Sequence, residues 1–485
     1  MLNFVPSRKV ERIVSLLISG GATDCFFVGG FVRDYFLGLQ SKDIDIEVYG
    51  LTYERIAQIL RRHFRVNFVG QSFGTIKIDN EIDINIPRLE LKSSVGHKGF
   101  EISCDPNLDT FSAFSRRDFT INAIGMRIDG SVYDPFNGIN DIKSMLLRAP
   151  TNAFCEDPLR VLRGMQFAAR FGFSIEQRTV ELCKRVFNEF NTISTERIWI
   201  EWSKWGLKGV ELSRGLFLLQ ETDWVKHFPE IDELINVTKN QKSNPNNKIC
   251  ENKNTFVNTA KICDMAAKVA TELNFDDEDR LVLVFAALCY NFGKSDLGKN
   301  DNNANDDLLF QKLSGSASNL KLGLNFSGVV SKSFYLARQF LDRMKPPLRI
   351  VDRVLAVVGE RLTEEFVLGK RVVDDNILRH LSVRLEPSNI KIWAALCKAI
   401  ILANGNIDLI KNVDECETRA TTLGIINNKP KPILQGRDLI AHGATSGREM
   451  GTILNNAYKA QLDGDFNNIE EAIIWYNNYR NNKNS

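Results

Sequence analysis

Short alternating runs of apolar and polar residues fill the first 145 or so positions, interleaved with helical patterns. Cys25 to Val28 is apolar and ends in Gly29-Gly30. Ile44 to Val48 alternates acid with aliphatic, the period of a half-buried strand. Thr75 to Ile78 and Glu81 to Ile86 flank Asp79-Asn80, which predicts a hairpin. Ile121 to Ile128 reads as a further strand, and Ile13 to Ile18 belongs to a first amphipathic helix. The expected head is an α+β module with a mixed or antiparallel sheet. From Asp157 the period lengthens: Leu159, Leu162, Phe167, Ala168 and Phe171 recur at helical spacing until Gly172 stops the run. Nearly everything beyond is helical in pattern. The exceptions are two polar stretches, Asn236 to Asn258 and Lys299 to Asp307, which read as exposed insertions. The fold class is therefore α+β, an N-terminal head with a mixed β-sheet followed by an all-helical neck, body and tail. The expected boundaries are 1–147 for the head, 148–222 for the neck, 223–365 for the body and 366–485 for the tail.

Composition narrows this picture only modestly. The 485 residues carry 62 Lys and Arg against 60 Asp and Glu, a formal net charge of +2. That balance predicts no strong overall attraction to nucleic acid or membrane, while leaving room for a local basic surface. No apolar run reaches the roughly 20 residues of a membrane helix. Nine scattered cysteines without a C-x-x-C pair argue against a disulfide framework or a zinc knuckle, and fit a reduced, cytoplasmic compartment.

The chemistry concentrates between Phe26 and Val48. Gly29-Gly30 follows an apolar strand and precedes a helix expected near Val32; glycines there let a backbone approach a triphosphate. Arg33 follows within the first turn, where a fixed positive charge reaches phosphate oxygens. In Asp43-Ile44-Asp45, residues i and i+2 of a strand share a face, so the two carboxylates converge. Such a pair is the minimum for holding Mg²⁺ beside a nucleoside triphosphate, and Asp83 is a third acid that can join it. A D-x-D alone is an ordinary solvated strand face; the order of the two motifs within twenty residues gives them meaning together.

These residues resemble the signature of the DNA-polymerase-β-like nucleotidyltransferases, and within them the CCA-adding tRNA nucleotidyltransferases and bacterial poly(A) polymerases. The resemblance continues through Arg116-Arg117-Asp118-Phe119-Thr120-Ile121-Asn122-Ala123, through Asp134-Pro135-Phe136-Asn137-Gly138 to Asp141-Ile142, through Glu156-Asp157-Pro158-Leu159-Arg160-Val161-Leu162-Arg163, and into Ser194-Thr195-Glu196-Arg197-Ile198. It implies template-independent addition of CCA to tRNA from CTP and ATP, with Mg²⁺ on Asp43 and Asp45. Asp157 and Arg160 would read the Watson–Crick edge of the base: an acceptor and a guanidinium match cytosine and adenine and mismatch uracil and guanine. Arg163 would face the same nucleotide, and Arg116 and Arg117 the triphosphate or primer. Where the family often carries a further arginine, this chain has Gln166. Arg88 to Phe111, with Gly96, His97 and Gly99, resembles the loop the family uses in switching from CTP to ATP.

Further on, Leu281 to Lys294 resembles the helix of metal-dependent HD phosphohydrolases, but Tyr290-Asn291 stands where His-Asp is diagnostic, and Asn254 and Asn258 stand where an upstream histidine belongs. Only five histidines occur in the chain and none lies between His227 and His380, so the region reads as a degenerate HD domain kept as a scaffold. Between Lys321 and Arg353 seven Lys or Arg face two Asp or Glu, a stretch equally readable as a tRNA backbone contact or a solvated helix face. The expected partners are tRNA, CTP and ATP, with no membrane. The rival readings are a poly(A) polymerase or a CC-only or A-only enzyme of the same family, a catalytically silent RNA-binding protein, and a metal phosphohydrolase.

Overall fold

The computed structural model describes residues 6–41, 43–70, 74–79, 81–92, 100–241, 255–294, 328–360, 363, 366, 369 and 374–484. Two compact units divide the chain, residues 1–227 and 228–485.

The first unit opens with α1 (Arg8–Ser19), whose N-terminus is capped by Ser7 Oγ accepting from the Val10 N–H. The helix turns Val10, Ile13, Val14 and Leu17 inward. A seven-stranded sheet follows, made by β1 (Asp24–Phe27), β2 (Ile44–Tyr49), β3 (Val66–Gly70), β4 (Thr75–Ile78), β5 (Ile82–Asn85), β8 (Gly125–Met126) and β9 (Val132–Tyr133). Its order is β3-β4-β5-β2-β1-β8-β9. β2 and β5 pair in parallel, and the other neighbours are antiparallel. The sheet is thus mixed, as the patterning predicts. The β4–β5 hairpin forms with Ile78 opposite Ile82, and Asp79 takes a left-handed φ of 50°; Asn80 lies outside the described residues. β6 (Arg88–Lys92) and β7 (Phe100–Cys104) make a separate antiparallel ribbon, while Gly96, His97 and Gly99 lie outside the described residues. Phe26, Val28, Tyr49, Phe114 and Ala123 form one core cluster of this unit.

One expected strand is corrected. Ile121 to Ile128 does not run as a strand: Thr120–Asn122 is a 3-10 turn, and pairing begins only at Gly125. The turn wins because the Asp118 carboxylate draws in both the Phe119 N–H and the Asn122 side chain, curling the chain before it reaches the sheet. The Asp134 to Asp141 motif supports that curl. Asp134 accepts from the Gly138 and Ile139 N–H groups at the start of α5 (Gly138–Lys143), and Asp141 accepts from the Thr120 hydroxyl at 2.7 Å. Gly138 packs so closely that a Cβ there would sit 2.2 Å from the Thr120 carbonyl oxygen. Gly138→Ala is therefore expected to cost about 2–3 kcal/mol, as displaced backbone in a packed interior does; a melting curve of the full chain checks it.

α6 (Leu159–Phe171) ends at Gly172 in a left-handed conformation with φ 71°, the cap the sequence predicts. After β11 (Ser174–Ile175), the short partner of β10 (Leu146–Leu147), come α7 (Gln177–Arg185), α8 (Thr195–Lys208) and α9 (Leu212–Glu221). Ser194 caps α8 by accepting from the Arg197 N–H, and α6 packs against both α8 and α9.

In the second unit every described element is helical. Helix Asp277–Cys289 is buried continuously from Leu281 onward, which accounts for its lack of a polar face. It is surrounded by helices Thr255–Glu272, Leu348–Val358 and Ile390–Asn404. A separate small core, including Leu434, Leu439, Phe466 and Tyr476, organises residues 434–476.

Candidate active site

A cavity of about 710 Å³ opens in the first unit, lined by the Gly29-Gly30 turn, β2, the Arg116-Arg117-Asp118 segment, α6 and α8. Gly29 has φ 67°, a conformation that favours glycine, and a side chain there would meet the Asp45 carboxylate at 3.7 Å and Arg117 at 3.8 Å. The strand period places Asp43, Asp45 and Glu47 on one face of β2. Asp43 is exposed, just ahead of the strand, and Asp45 is half-buried in the cavity wall. Asp83 lies directly across from Asp45 in the parallel register, but its carboxylate accepts from Lys77 at 2.8 Å. Burial pushes the Asp45 carboxyl above its ordinary range, and the charges of Asp83 and Asp43 add to the effect while Arg117 and Lys77 oppose it. A group of like charges so placed fits a divalent cation, which would relieve the repulsion, although no cluster of three ligating side chains is closed on one point among the described residues.

Glu47 is the acid that the sequence reading passes over. It pairs with Arg117 Nη2 at 2.9 Å and accepts from the Tyr49 hydroxyl at 2.6 Å. The continued alternation after Asp45 is the signal that could have found it. Arg117 is thereby aimed across the Gly29 turn, and its guanidinium lies 5.0 Å from the Phe114 ring.

Arg33, expected to bring a fixed positive charge to phosphate oxygens, lines the cavity but is engaged by protein groups. It is 4% exposed, donates from Nε and Nη2 to Asp34 and from Nη1 to Asn122, and stacks over Phe167 and Phe171. Its charge lies behind the Gly30 backbone, with Nη2 3.5 Å from where a Gly30 Cβ would be.

Asp157 and Arg160 line the same cavity, each with other hydrogen-bond partners. Asp157 has extended backbone just before α6 (φ −126°, ψ 105°), so the two do not share a helix face. Asp157 Oδ1 caps the helix by accepting from Leu159 N–H, and Oδ2 accepts from Arg197 Nη2 at 2.7 Å. Arg160 is buried and donates to the carbonyls of Ala153 and Arg116, both at 2.6 Å. Arg116 itself pairs with Glu156. Each base-reading candidate is thus held rigidly by a separate partner. Arg163 donates to Asp118 at 2.7 Å; burial raises the Asp118 carboxyl, but Arg163, Asn122 and the Phe119 N–H outweigh it and hold the group below the ordinary carboxylate range. Gln166 lies in the same wall with its Oε1 buried and unpartnered.

The second unit holds an amide network where the HD resemblance would put a metal. Asn291 Nδ2 donates to Thr259 Oγ1 at 2.9 Å and to Asn258 Oδ1 at 3.3 Å, and Asn258 donates to Asn404 at 2.9 Å. Glu360, beside Val357 and Val358, accepts from Arg384. Asn254 lies outside the described residues. In the basic stretch, Arg338, Arg343, Arg349 and Arg353 are each engaged by acids, with Arg343 gripping Glu230 at 2.8 and 2.9 Å; residues 321–327 lie outside the described part. No helix among the described residues is long and apolar enough to cross a membrane.

Parts of the chain are similar to known proteins. Residues 25–148 match the model of the poly A polymerase head domain, and residues 172–235 match that of a probable RNA- and SrmB-binding site of polymerase A. Curated relatives include the multifunctional CCA protein of Methylobacillus flagellatus, 34% identical over 275 residues, covering 56% of this chain and 62% of the relative. That of Laribacter hongkongensis is 35% identical over 274 residues, covering 56% of this chain and 63% of the relative. The chain thus spans less than two thirds of the length of these relatives. Among solved structures, the Bacillus stearothermophilus CCA-adding enzyme in complex with CTP superposes with a TM-score of 0.64 at 20% identity, covering 99% of both chains. The Thermotoga maritima CCA-adding enzyme complexed with tRNA gives 0.57 at 19% identity, covering 98% of this chain and 96% of that one. At such identities the likeness is one of fold, and it extends through the helical part. The likeness to the poly A polymerase family is thus carried by the head, residues 25–148, and by the probable RNA-binding site at residues 172–235.

Proposed function

We propose that the chain is a CCA-adding tRNA nucleotidyltransferase, acting on tRNA with CTP and ATP. The observation that carries this reading is one cavity lined both by Asp45, two residues from Asp43, with the Gly29-Gly30 turn, and by the rigidly held Asp157 and Arg160. In the reaction the RNA 3′-oxygen bonds to the α-phosphorus. The bond from that phosphorus to the oxygen bridging it to the β-phosphorus breaks with its electron pair on pyrophosphate, and the hydroxyl proton passes to solvent water. Asp43 and Asp45 would hold Mg²⁺, which supplies charge neutralisation at the reacting phosphate and lowers the pKa of the attacking hydroxyl. Asp83 accepts from Lys77 through Oδ2, and its Oδ1 would be the oxygen that joins the ligands. Gly29 leaves room for the phosphates, with Gly30 and the charge of Arg33 behind it. Arg117, set by Glu47, and Arg116 face the triphosphate or primer. Asp157 accepts from the base amino group, Arg160 gives the donor side, and Arg163, fixed by Asp118, faces the same nucleotide.

The curated relatives are named multifunctional CCA proteins, and the superposed structures hold CTP in one case and tRNA in another. We read the head as residues 1–147, the neck as 148–222, the body as 223–365 and the tail as 366–485. The body reads as a degenerate HD domain, since Asn291 and Asn258 spend their hydrogen bonds on each other, Thr259 and Asn404. The eight described cysteines are free thiols, in keeping with a cytoplasmic setting.

Sequencing the 3′ ends formed on tRNA lacking its terminal CCA, with CTP and ATP present, tests the reading. Two cytidines followed by one adenosine are expected. A homopolymeric A tail would assign the chain to the poly(A) polymerases, and unextended ends would leave only a silent RNA-binding protein.

A further inference from the structure

Two pins align α6 with α8 and so define the ends of the cavity. At one end Asp157 Oδ2 accepts from Arg197. At the other, the Ala169 carbonyl accepts from the backbone N–H groups of Val210 and Glu211, both at 3.0 Å. The helices therefore run side by side in the same direction. From Arg197 to Lys208, α8 advances about 16 Å at roughly 1.5 Å per residue, enough to flank an extended nucleoside triphosphate. The far end lies against α2 (Gly30–Phe36), where Arg170 Nη2 stands 3.4 Å from Asp34 Oδ2. With the base at Asp157 and Arg160, the terminal phosphates fall at this end.

The charges there are uneven. Arg33 and Arg170 share Asp34, and Lys204 is paired with Glu201 at 2.8 Å. Lys208, exposed at the cavity rim, has no ion-pair partner among the described residues. Partial burial lowers its ammonium below the ordinary lysine range, and the Arg170 and Lys204 charges lower it further, against the weaker pull of Asp34 and Asp43. Arg33, Arg170 and Lys208 gather at this end around the one carboxylate of Asp34, an excess of positive charge that an anionic ligand completes.

We propose that Lys208, backed by Arg170, binds the β- and γ-phosphates of the incoming nucleotide and retains the pyrophosphate as it departs. This rests on the nucleotidyl-transfer reading above. When the 3′-oxygen bonds to the α-phosphorus and the bridging P–O bond breaks, the electron pair settles on the pyrophosphate, which gains its negative charge next to Lys208. The position of Lys208 at the rim also puts it on the exit path of that product.

The test uses the full chain, tRNA lacking CCA, and inorganic pyrophosphate as the probe. Lys208→Ala is expected to raise KM for CTP and for ATP alike by about tenfold, the loss of one charge-assisted contact at a partly exposed site. Pyrophosphate inhibition should weaken by a similar factor, while KM for tRNA and the preference for CTP over UTP stay put. Lys208→Arg should restore most of both. A rise in KM for tRNA with nucleotide KM unchanged would hand Lys208 to the RNA backbone and overturn the proposal. So would unaltered pyrophosphate inhibition in an active Lys208→Ala protein. Wild-type protein that extends no RNA at all would overturn the transferase reading itself, and this inference with it.

Discussion

Replacing Asp43 and Asp45 together by asparagine is expected to cut nucleotide incorporation by at least about a thousandfold while leaving the protein at least as stable as wild type without divalent ions. The loss of rate follows from removing the carboxylate pair at the reacting end of the cavity, because phosphoryl transfer depends above all on stabilising the charge that develops at phosphorus and the leaving group. The stability expectation has a different origin. The Asp45 carboxyl is raised above its ordinary range, chiefly by burial and then by Asp83. A carboxyl raised in the folded state contributes stability only in its protonated form. That contribution is full below the unfolded pKa and is lost as pH rises through the folded one. At neutral pH the ionised group is therefore a cost to the fold, and asparagine removes it. Calorimetric melting near pH 7 without metal should show the double variant unfolding at or above the wild-type temperature. Saturating Mg²⁺ should raise the melting temperature of wild type and leave that of the variant where it was. An early-melting variant would mean that the carboxylates support the structure, and turnover near the wild-type rate would remove them from the chemistry.

How much of this was legible in the sequence depends on the range of each interaction. Asp43 and Asp45 were readable because a strand has a fixed period of two, and the same rule pointed to Glu47 had it been carried one step further. The Gly29-Gly30 turn was readable because a left-handed φ calls for glycine. The position of Arg33 was readable but its partners were not: Asp34, its immediate neighbour, and Asn122, 89 residues away, engage the guanidinium. The Ile121 to Ile128 strand failed because Asp118 and Asn122 bond locally before the sheet can form, a competition that alternation does not register. The partner of Asp157 lies 40 residues downstream, and nothing local marks Arg197 for it. Lys208 was silent for the same reason, since a single lysine at a helix end acquires meaning only when Ala169 and Val210 bring that end to the cavity. The scarcity of histidines, in contrast, was visible without any structure, whereas the meeting of Asn258 with Asn291 was not.

Asp157→Asn is expected to lower kcat/KM for CTP by about a hundredfold or more and to erode the preference for CTP over UTP by a similar factor. Both carboxylate oxygens already accept a hydrogen bond, Oδ1 from the Leu159 N–H and Oδ2 from Arg197. Each oxygen keeps a further lone pair, and these face the cavity end where the base amino group would donate. An asparagine has one oxygen for two fixed donors. Whichever way its amide turns, its NH₂ opposes either the helix N-terminus or the Arg197 guanidinium, so the acceptor is lost or displaced. Uracil carries a carbonyl where cytosine carries the amino group, and the wild-type carboxylate repels it; the amide does not, so UTP gains relative to CTP. Arg197→Leu should give a milder version, because the carboxylate survives but loses the partner that aims it. About tenfold in kcat/KM for CTP is expected there, with the preference over UTP largely kept. Steady-state incorporation of CTP and UTP into tRNA lacking CCA separates the cases. If Asp157→Asn lowered both nucleotides equally, Asp157 would be a helix cap and an Arg197 partner that leaves the choice of base to other residues.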